Sequence, residues 1–209
     1  MIELVIFDAD GVLFDSGESN TAYYNAIFAA IGDPPMDPAE EHAGIFMAAP
    51  QIFALRARND QAKLDRMRAV ARTIDSAPFF ALLRPPFELR PFLAALKRRY
   101  RLGLATNRSA TIPALIGHLG LDGIFDAVAS ARDAVRPKPA PDIVALCLER
   151  AGVAAERAVY VGDSDTDRIA AAAAGTHFIG VGARAGHASR IEALEELPAA
   201  LDRLFGAAG

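Results

Sequence analysis

The stretch that decides the fold is Ile2-Glu3-Leu4-Val5-Ile6-Phe7-Asp8-Ala9-Asp10-Gly11. Residues 2–7 form an apolar run without hydrophobic–polar alternation, which is typical of a strand covered by helices on both faces of a parallel sheet. Two aspartates, Asp8 and Asp10, follow this run directly. Ligands of open α/β sheets bind at the carboxyl ends of the strands. The stretch therefore predicts both a buried strand and a candidate site at its end.

Further apolar runs predict four more strands, at residues 102–105, 127–129, 158–161 and 178–181. Stretches typical of helices separate the later runs, at residues 92–100, 112–119, 142–151 and 167–174. Alternation of strands and helices favours a doubly wound α/β fold with a parallel sheet. Each crossover between neighbouring strands is then expected to be right-handed.

The interval between the first two predicted strands is different, because residues 16–85 contain no convincing strand. They predict several helices instead, and proline pairs at 34–35 and 85–86 interrupt the block. An insertion of this size is too long for an ordinary connection between a strand and a helix. We therefore expect a helical cap domain, residues 16–85, on an α/β core of residues 1–15 and 86–209. The helices are predicted at residues 19–31, 38–47, 51–58, 61–74 and 77–83.

The composition is that of an ordinary globular enzyme of 209 residues. A net charge of −4 without a long basic run argues against nucleic acid and anionic membranes as partners. No apolar stretch reaches the roughly 20 residues that a transmembrane helix needs. The single cysteine, Cys147, fits a reducing compartment, and no secretory leader is evident. We expect a cytoplasmic protein, either a monomer or a homodimer.

Polar residues follow the other predicted strands where a site would form. Thr106 and Asn107 come after the second strand, and Lys138 lies in a proline-rich loop after the third. Asp163 ends the fourth strand, with Asp167 close behind. Thr106 by itself is more often a helix N-cap than a ligand, but Ser109 is a candidate cap for the helix that follows. Carboxylates, a hydroxyl and a lysine together predict binding of phosphate and of a metal ion.

The residue types fit phosphoryl chemistry. A carboxylate can attack phosphorus and form an acyl phosphate, which divides a difficult hydrolysis into two easier steps. Two like unit charges at 4 Å repel by about 4 kcal/mol at intermediate dielectric. Mg²⁺ offsets this repulsion and prefers one or two carboxylates with phosphate oxygens and waters. Asp8 and Asp163 can supply such carboxylates, and no Cys–His cluster indicates zinc.

The remaining residues have complementary roles. Lys138 brings a compact positive charge, and the Thr106 hydroxyl can donate a hydrogen bond to a phosphoryl oxygen. Asp10 can protonate a leaving alkoxide and later accept a proton from the attacking water. Substrate contacts are also predicted for Asn107, which adjoins Thr106, and for Arg56, which belongs to a locally basic part of the cap.

The sequence resembles the haloacid dehalogenase superfamily, in particular its phosphatase branch with a helical cap, which includes proteins similar to phosphoglycolate phosphatase and β-phosphoglucomutase. Four stretches carry the resemblance, and they occur in the order typical of the family over nearly the whole chain. They are Asp8-Ala9-Asp10-Gly11-Val12-Leu13-Phe14-Asp15-Ser16, Leu104-Ala105-Thr106-Asn107, Arg136-Pro137-Lys138-Pro139 and Val161-Gly162-Asp163-Ser164-Asp165-Thr166-Asp167.

The resemblance implies a role for each of these residues. Asp8 would be the nucleophile and Asp10 the general acid/base, whereas Thr106 and Lys138 would bind phosphate. Mg²⁺ would bind to Asp8, Asp163 and the Asp10 backbone carbonyl, and Asp167 would support the waters of the metal or Lys138. Members that cleave carbon–halogen bonds lack the second aspartate, so the presence of Asp10 disfavours dehalogenation.

The implied activity is magnesium-dependent hydrolysis of a small phosphorylated metabolite, such as phosphoglycolate or a sugar phosphate, through an aspartyl-phosphate. A phosphomutase is the alternative within the family, although residues 44–58 lack the loop with Ser-Arg expected of hexose-phosphate mutases. A non-catalytic receiver or phosphometabolite-binding module is the alternative from another class. The joint presence of Asp10, Thr106, Lys138 and a cap argues against it.

Overall fold

The computed structural model describes residues 1–47, 49–108, 111–182 and 189–206. Ser109, the predicted helix cap, lies outside these residues. Within the described part, a parallel sheet has the strand order β3-β2-β1-β4-β5-β6. Its strands are β1 Leu4–Phe7, β2 Arg101–Thr106, β3 Ala127–Ser130, β4 Ala158–Gly162, β5 His177–Val181 and β6 Arg190–Ile191. The prediction of a doubly wound α/β fold is confirmed.

Helices cover both faces of this sheet. They bury one apolar cluster that includes Val5 and Phe7 of β1 and a second that includes Leu4 and Ile6. All four residues of β1 are inaccessible to solvent, which explains why its sequence is apolar without alternation. The helices of this part are α6 Leu89–Lys97, α7 Ile112–His118, α8 Asp142–Ala151, α9 Asp165–Ala174 and α10 Leu197–Phe205.

Most helix bounds agree with the pattern of the sequence, but α6 begins three residues before its predicted start at residue 92. Pro91 falls in the first turn of α6, where a missing N–H costs little. The short strand β6 and helix α10 lie beyond the predicted elements. No helix among the described residues is long and apolar enough to cross a bilayer.

The interval between β1 and β2 is helical, as expected. It contains α1 Gly17–Ala30, α2 Pro38–Phe46, α3 Ala49–Ala57, α4 Gln61–Thr73 and α5 Ala77–Phe80. The first four of these helices enclose a third apolar cluster, separate from the two against the sheet. Its buried residues are Tyr24, Ile27, Phe28, Met36, Ile52, Phe53, Ala57 and Met67.

The two chain segments that lead into and out of this helical region lie side by side. The backbone N–H of Asp15 donates to the carbonyl of Arg84 at 2.9 Å, and that of Arg84 donates to the carbonyl of Asp15 at 3.0 Å. Helix α5 is shorter than predicted, and its Phe80 packs in the apolar cluster that includes Val5 and Phe7 of β1. The helical region is thus held over the sheet near the carboxyl end of β1.

Candidate active site

The predicted site residues meet at the carboxyl edge of the sheet. Strand β1 pairs with β2 on one side and with β4 on the other, so Asp8 lies between the ends of these strands. The Asp8 backbone N–H donates to the Val161 carbonyl at 2.9 Å, which fixes its position beside β4. A pocket opens over this edge. We call its lower part the floor, formed by Asp8, Asp10, Thr106, Asn107, Arg108, Lys138, Asp163 and Asp167.

Asp8 is buried in an acidic neighbourhood. Lys138 Nζ lies 2.8 Å from Asp8 Oδ1 as an ion pair, but it does not approach with hydrogen-bond geometry. Oδ1 is inaccessible to solvent and accepts no hydrogen bond from the described residues. Burial raises the pKa of Asp8 to about 8, and the charges of Asp167 and Asp10 add to this effect while Lys138 opposes it. The negative charge of Asp8, the candidate nucleophile, is therefore only partly balanced by Lys138.

Lys138 is held from several sides beneath Asp8. Its Nζ donates to Asp167 Oδ1 at 2.6 Å, to the Tyr160 hydroxyl at 2.8 Å and, at 3.4 Å, to the Ala105 carbonyl. Burial alone would lower the pKa of Lys138, but Asp167 and Asp8 outweigh it and raise the pKa above its usual value. The ammonium group is therefore charged at neutral pH and fixed in place.

Asn107 secures the loop that carries this lysine. Its Oδ1 accepts from the Lys138 backbone N–H at 2.8 Å, and its Nδ2 donates to the Lys138 carbonyl at 3.2 Å. The amide lines the pocket, but its donor and its acceptor both serve the backbone of Lys138. The structure thus gives Asn107 a positioning contact, and its predicted contact with substrate stays a prediction. Thr106 is buried at the end of β2 and also lines the pocket.

Three buried carboxylates, those of Asp8, Asp163 and Asp167, offer oxygens within 4.8 Å of one another. The close approach depends on Gly11, whose φ is +76° and whose missing Cβ would lie 2.1 Å from Asp163 Oδ2. An all-oxygen donor set with one orphaned buried oxygen suits a hard divalent cation such as Mg²⁺. These residues fit the predicted metal.

The start of α9 positions Asp167. Ser164 is the N-cap, and its hydroxyl both accepts from the Asp167 backbone N–H and donates to Asp167 Oδ2, the latter at 2.6 Å. Because Asp167 Oδ1 accepts from Lys138, both carboxylate oxygens already have partners. Asp167 therefore meets the expectation that it supports Lys138, and any direct contact with a metal stays a prediction.

Asp10 has a partner that the sequence did not suggest. Arg108 binds its carboxylate with two nitrogens, with Nη2 at 2.7 Å from Oδ1 and Nε at 2.8 Å from Oδ2. Burial alone would raise the pKa of Asp10, but the Arg108 guanidinium outweighs it and holds this pKa below its usual value. Arg108 follows Thr106-Asn107 directly. A basic residue next to this motif was therefore the feature of the sequence that could have indicated a role in the site. Sequence spacing does not show where such a long side chain points.

The upper part of the pocket, which we call the roof, comes from the helical region and is neutral. Tyr23 packs edge-to-face against Phe79 at 5.6 Å and against Tyr24 at 5.5 Å between ring centroids. Hydroxyl, amide and apolar groups complete this surface. The roof residues are Ser19, Asn20, Tyr23, Tyr24, Gly44, Met47, Ala49, Ser76, Phe79 and Phe80.

Arg56 binds within the helical region, and its predicted contact with substrate stays a prediction. Its guanidinium binds Asp33 at 3.1 Å and Glu40 at 2.5 Å, donates to the Pro34 carbonyl and lies over the Phe28 ring. Arg56 does not line the pocket over the strand ends. The basic residues of this segment suggested an anion site, but Arg56 joins three parts of the helical region instead.

Comparison with known proteins identifies the family. The family described as haloacid dehalogenase-like hydrolase matches residues 5–181. The chain belongs to this family. It is therefore a hydrolase, and the resemblance inferred from the four motifs is confirmed.

Named relatives cover most of the chain. It is 32% identical to fructose-1-phosphate phosphatase YqaB of Escherichia coli, over 85% of this chain and 95% of that protein. It is 34% identical to a phosphoglycolate phosphatase of Rhodospirillum rubrum, over 86% of this chain and 79% of that protein. A solved HAD-superfamily hydrolase of subfamily IA from Geobacter sulfurreducens is 32% identical, with a TM-score of 0.75 and 96% of each chain covered.

Proposed function

We propose that this protein is a magnesium-dependent phosphatase that hydrolyses a small phosphomonoester through an aspartyl-phosphate on Asp8. The observation that carries the proposal is the surrounding of Asp8. One oxygen of this buried carboxylate accepts no hydrogen bond from the residues that the structure describes, although a lysine lies 2.8 Å away and two further carboxylates lie within 4.8 Å. A hard cation would stabilise such an oxygen beside its acidic neighbours, and an oxygen without a hydrogen bond is available to attack a phosphoryl group.

In the first step, an oxygen of Asp8 attacks phosphorus as the bond from phosphorus to the ester oxygen breaks. Asp10 is ionised in the free protein, because Arg108 holds its pKa low, so it would take up a proton together with the phosphate ester. It gives this proton to the ester oxygen, and the leaving group departs as a neutral alcohol. Lys138 is fixed by Asp167 and Tyr160 so that its charge faces the phosphoryl oxygens, and the Thr106 hydroxyl donates to one of them.

In the second step, water attacks the phosphorus of the aspartyl-phosphate, and Asp10 takes a proton from it. The bond between phosphorus and the Asp8 oxygen breaks, which regenerates the carboxylate and releases inorganic phosphate. The two steps together consume one water and return Asp10 to its protonated form.

Mg²⁺ held by Asp8, Asp163 and the Asp10 carbonyl would neutralise the charge that develops on the phosphoryl oxygens. It would also keep Asp8 ionised at neutral pH, where burial and its acidic neighbours otherwise favour the protonated form. Asp163 and Asp8 are the side chains that we assign to the metal, and Asp167 is assigned to Lys138 and to the waters of the metal.

We further propose that residues 16–85 act as a cap on a core formed by residues 1–15 and 86–209. The separate apolar cluster of the helical region supports this division, as does the pairing of Asp15 with Arg84 where the chain crosses twice. The neutral roof over the charged floor would exclude water and contact the leaving group. Two relatives of similar identity are named for different substrates, so the substrate is assigned here only as a small phosphorylated metabolite.

The test is a trapping experiment with the purified protein. We expect p-nitrophenyl phosphate to be hydrolysed with added Mg²⁺ and not with excess chelator. Acid quenching during turnover should trap an acyl phosphate that hydroxylamine cleaves, and mass spectrometry should locate it on Asp8. Full activity in chelator would contradict the role of the metal, and turnover without a phosphorylated aspartate would contradict the mechanism.

Two further outcomes would replace the proposal. Stable phosphorylation of Asp8 by a small phosphodonor, without release of phosphate, would indicate a receiver. Conversion of a sugar phosphate into its isomer with a catalytic amount of sugar bisphosphate, and without free phosphate, would indicate a mutase.

A further inference from the structure

Arg108 occupies an unusual position between the floor and the roof of the pocket. Its backbone N–H donates to Thr106 Oγ1 at 3.2 Å, and its carbonyl accepts from the Ala131 backbone N–H at 3.0 Å. The backbone is thereby anchored to the end of β2 and to the residue after β3. From this anchor the side chain reaches the carboxylate of Asp10, at the end of β1.

The guanidinium is fixed by more than one kind of contact. Its Nε and Nη2 hold Asp10, while Nη2 also donates to Asn20 Oδ1 at 2.9 Å. The guanidinium carbon lies 5.6 Å from the centre of the buried Phe14 ring. Both members of the ion pair are largely buried, with exposed side-chain fractions of 14% for Arg108 and 15% for Asp10. A planar fork of this kind restrains a carboxylate in orientation as well as in position.

The contact with Asn20 joins this pair to the helical region. Asn20 lies in α1, and its Nδ2 donates to the Gly44 carbonyl of α2 at 3.2 Å and to Ser16 Oγ at 3.2 Å. A continuous chain of hydrogen bonds therefore runs from Asp10 through Arg108 and Asn20 to α2. Displacement of α1 relative to the strand ends would break this chain at Asn20 or at Arg108.

We propose that Arg108 is a positioning residue that fixes the Asp10 carboxylate for hydrolysis of the aspartyl-phosphate, and that Asn20 makes this position depend on the placement of α1. The proposal rests on the proposed phosphatase function. An ionised carboxylate has about four lone-pair sites, so a bidentate arginine and the Ser16 hydroxyl do not fill all of them, and Asp10 lines the pocket. Asp10 can thus accept a proton from water while Arg108 holds it.

The consequence is a difference between the two chemical steps. Transfer of the phosphoryl group from p-nitrophenyl phosphate needs little help from Asp10, because nitrophenolate leaves without a proton. Attack of water on the aspartyl-phosphate still needs Asp10 as a base. Loss of Arg108 should therefore slow the second step more than the first, and the aspartyl-phosphate should accumulate.

The experiment is rapid mixing of p-nitrophenyl phosphate and Mg²⁺ with the wild-type protein and with Arg108→Ala. For the variant we expect a burst of about one nitrophenol per enzyme, which is the sign of an accumulating covalent intermediate. The steady rate after the burst should fall by about tenfold or more, up to the 10²–10⁴ that a positioned acid or base contributes. Arg108→Lys should restore part of that rate, because lysine supplies the positive charge but cannot bind the carboxylate with two parallel hydrogen bonds.

Matched variants separate positioning from general damage. Asn20→Ala should produce the same burst with a smaller loss of rate. Arg84→Ala is the control, since Arg84 also contacts α1, through Glu18 at 3.3 Å, but that pair is exposed and does not reach Asp10. In Arg84→Ala, the rate of phosphoryl transfer relative to the rate of hydrolysis of the aspartyl-phosphate should equal that of the wild type.

Three results would overturn the proposal while leaving the phosphatase intact. They are equal slowing of both steps in Arg108→Ala, an unchanged rate, or a raised KM with unchanged kcat, which would mean that Arg108 binds substrate. Failure of the phosphatase proposal itself is distinguishable, because the wild-type protein would then either release no inorganic phosphate from p-nitrophenyl phosphate or release it without a phosphorylated Asp8.

Discussion

The floor and the roof of the pocket are built on different principles. The floor consists mainly of charged groups at strand ends, and several of them are held by short contacts such as the 2.6 Å bond from Lys138 to Asp167. The roof consists of neutral hydroxyl, amide and aromatic groups on helices, held by ring packing at 5.5–5.6 Å. Directional charged contacts fix atoms for chemistry, whereas a packed neutral surface adapts to the shape of a leaving group. We therefore expect floor variants to lose turnover and roof variants to change substrate affinity.

The largest effect should come from Asp8→Asn, which removes the nucleophile. We expect kcat for p-nitrophenyl phosphate to fall by about 10⁴-fold or more, as for nucleophiles that act within a catalytic unit. Asp165→Asn is the matched control, because Asp165 belongs to the fourth motif but is exposed and lies outside the pocket. If Asp8→Asn kept nearly the activity of the wild type, Asp8 would not be the nucleophile and the proposed mechanism would be wrong.

Lys138→Met should affect both activity and stability. The substitution leaves the buried carboxylates of Asp8 and Asp167 without their shared cation. Breaking a buried pair in this way costs about 3–5 kcal/mol of unfolding free energy. Urea denaturation should show this loss, and turnover should fall by about 10²-fold or more because an electrostatic stabiliser is gone. A variant as stable as the wild type would contradict the ion pairs described here.

Asp163→Asn should weaken the metal site specifically. We expect the Mg²⁺ concentration needed for half-maximal activity to rise by about 10–100-fold, with much of kcat restored at saturating Mg²⁺. The measurement is a titration of activity with Mg²⁺ after treatment with chelator. An unchanged Mg²⁺ requirement would show that the metal lies elsewhere.

Tyr23→Phe tests the roof. Tyr23 lines the roof, which the proposed function places against the leaving group, and the substitution removes its hydroxyl while it retains the ring contacts with Tyr24 and Phe79. We expect KM for a natural substrate to rise by about three- to tenfold, as for loss of one neutral hydrogen bond, with little change in kcat. A large fall in kcat with unchanged KM would place this side chain among the catalytic groups. It would contradict the expectation that roof variants change substrate affinity and not turnover.

The smallest effect on activity should come from Arg56→Ala. We expect kcat/KM to stay within about twofold of the wild type, because Arg56 lies outside the pocket. The unfolding free energy should nevertheless fall by about 1–3 kcal/mol, since Asp33 and Glu40 lose a charged partner. Arg66→Ala, an exposed position on α4, is the control and should leave both quantities unchanged. A rise in KM for Arg56→Ala would support its predicted contact with substrate.

The sequence by itself determined five of the strands that the structure describes and most of the floor of the pocket. Apolar strands buried on both faces leave a clear pattern, and parallel strands must end at one edge, so Asp8, Thr106, Lys138 and Asp163 were predictable as neighbours. The five helices between β1 and β2 were also predictable, because their apolar periodicity and proline breaks are local signals. Short elements such as β6 left no comparable pattern in two residues.

The tertiary structure alone decided where the long side chains point. Arg56 and Arg108 are both arginines near candidate binding regions, yet one joins the helices and the other binds Asp10. Their directions depend on carboxylates 16–98 positions away along the chain, which no local pattern specifies. The structure also decided that Asn107 serves Lys138. The periodicity of apolar residues is a local pattern and can be recognised in the sequence. The partner of a flexible charged side chain is instead set by packing between segments that are distant along the chain.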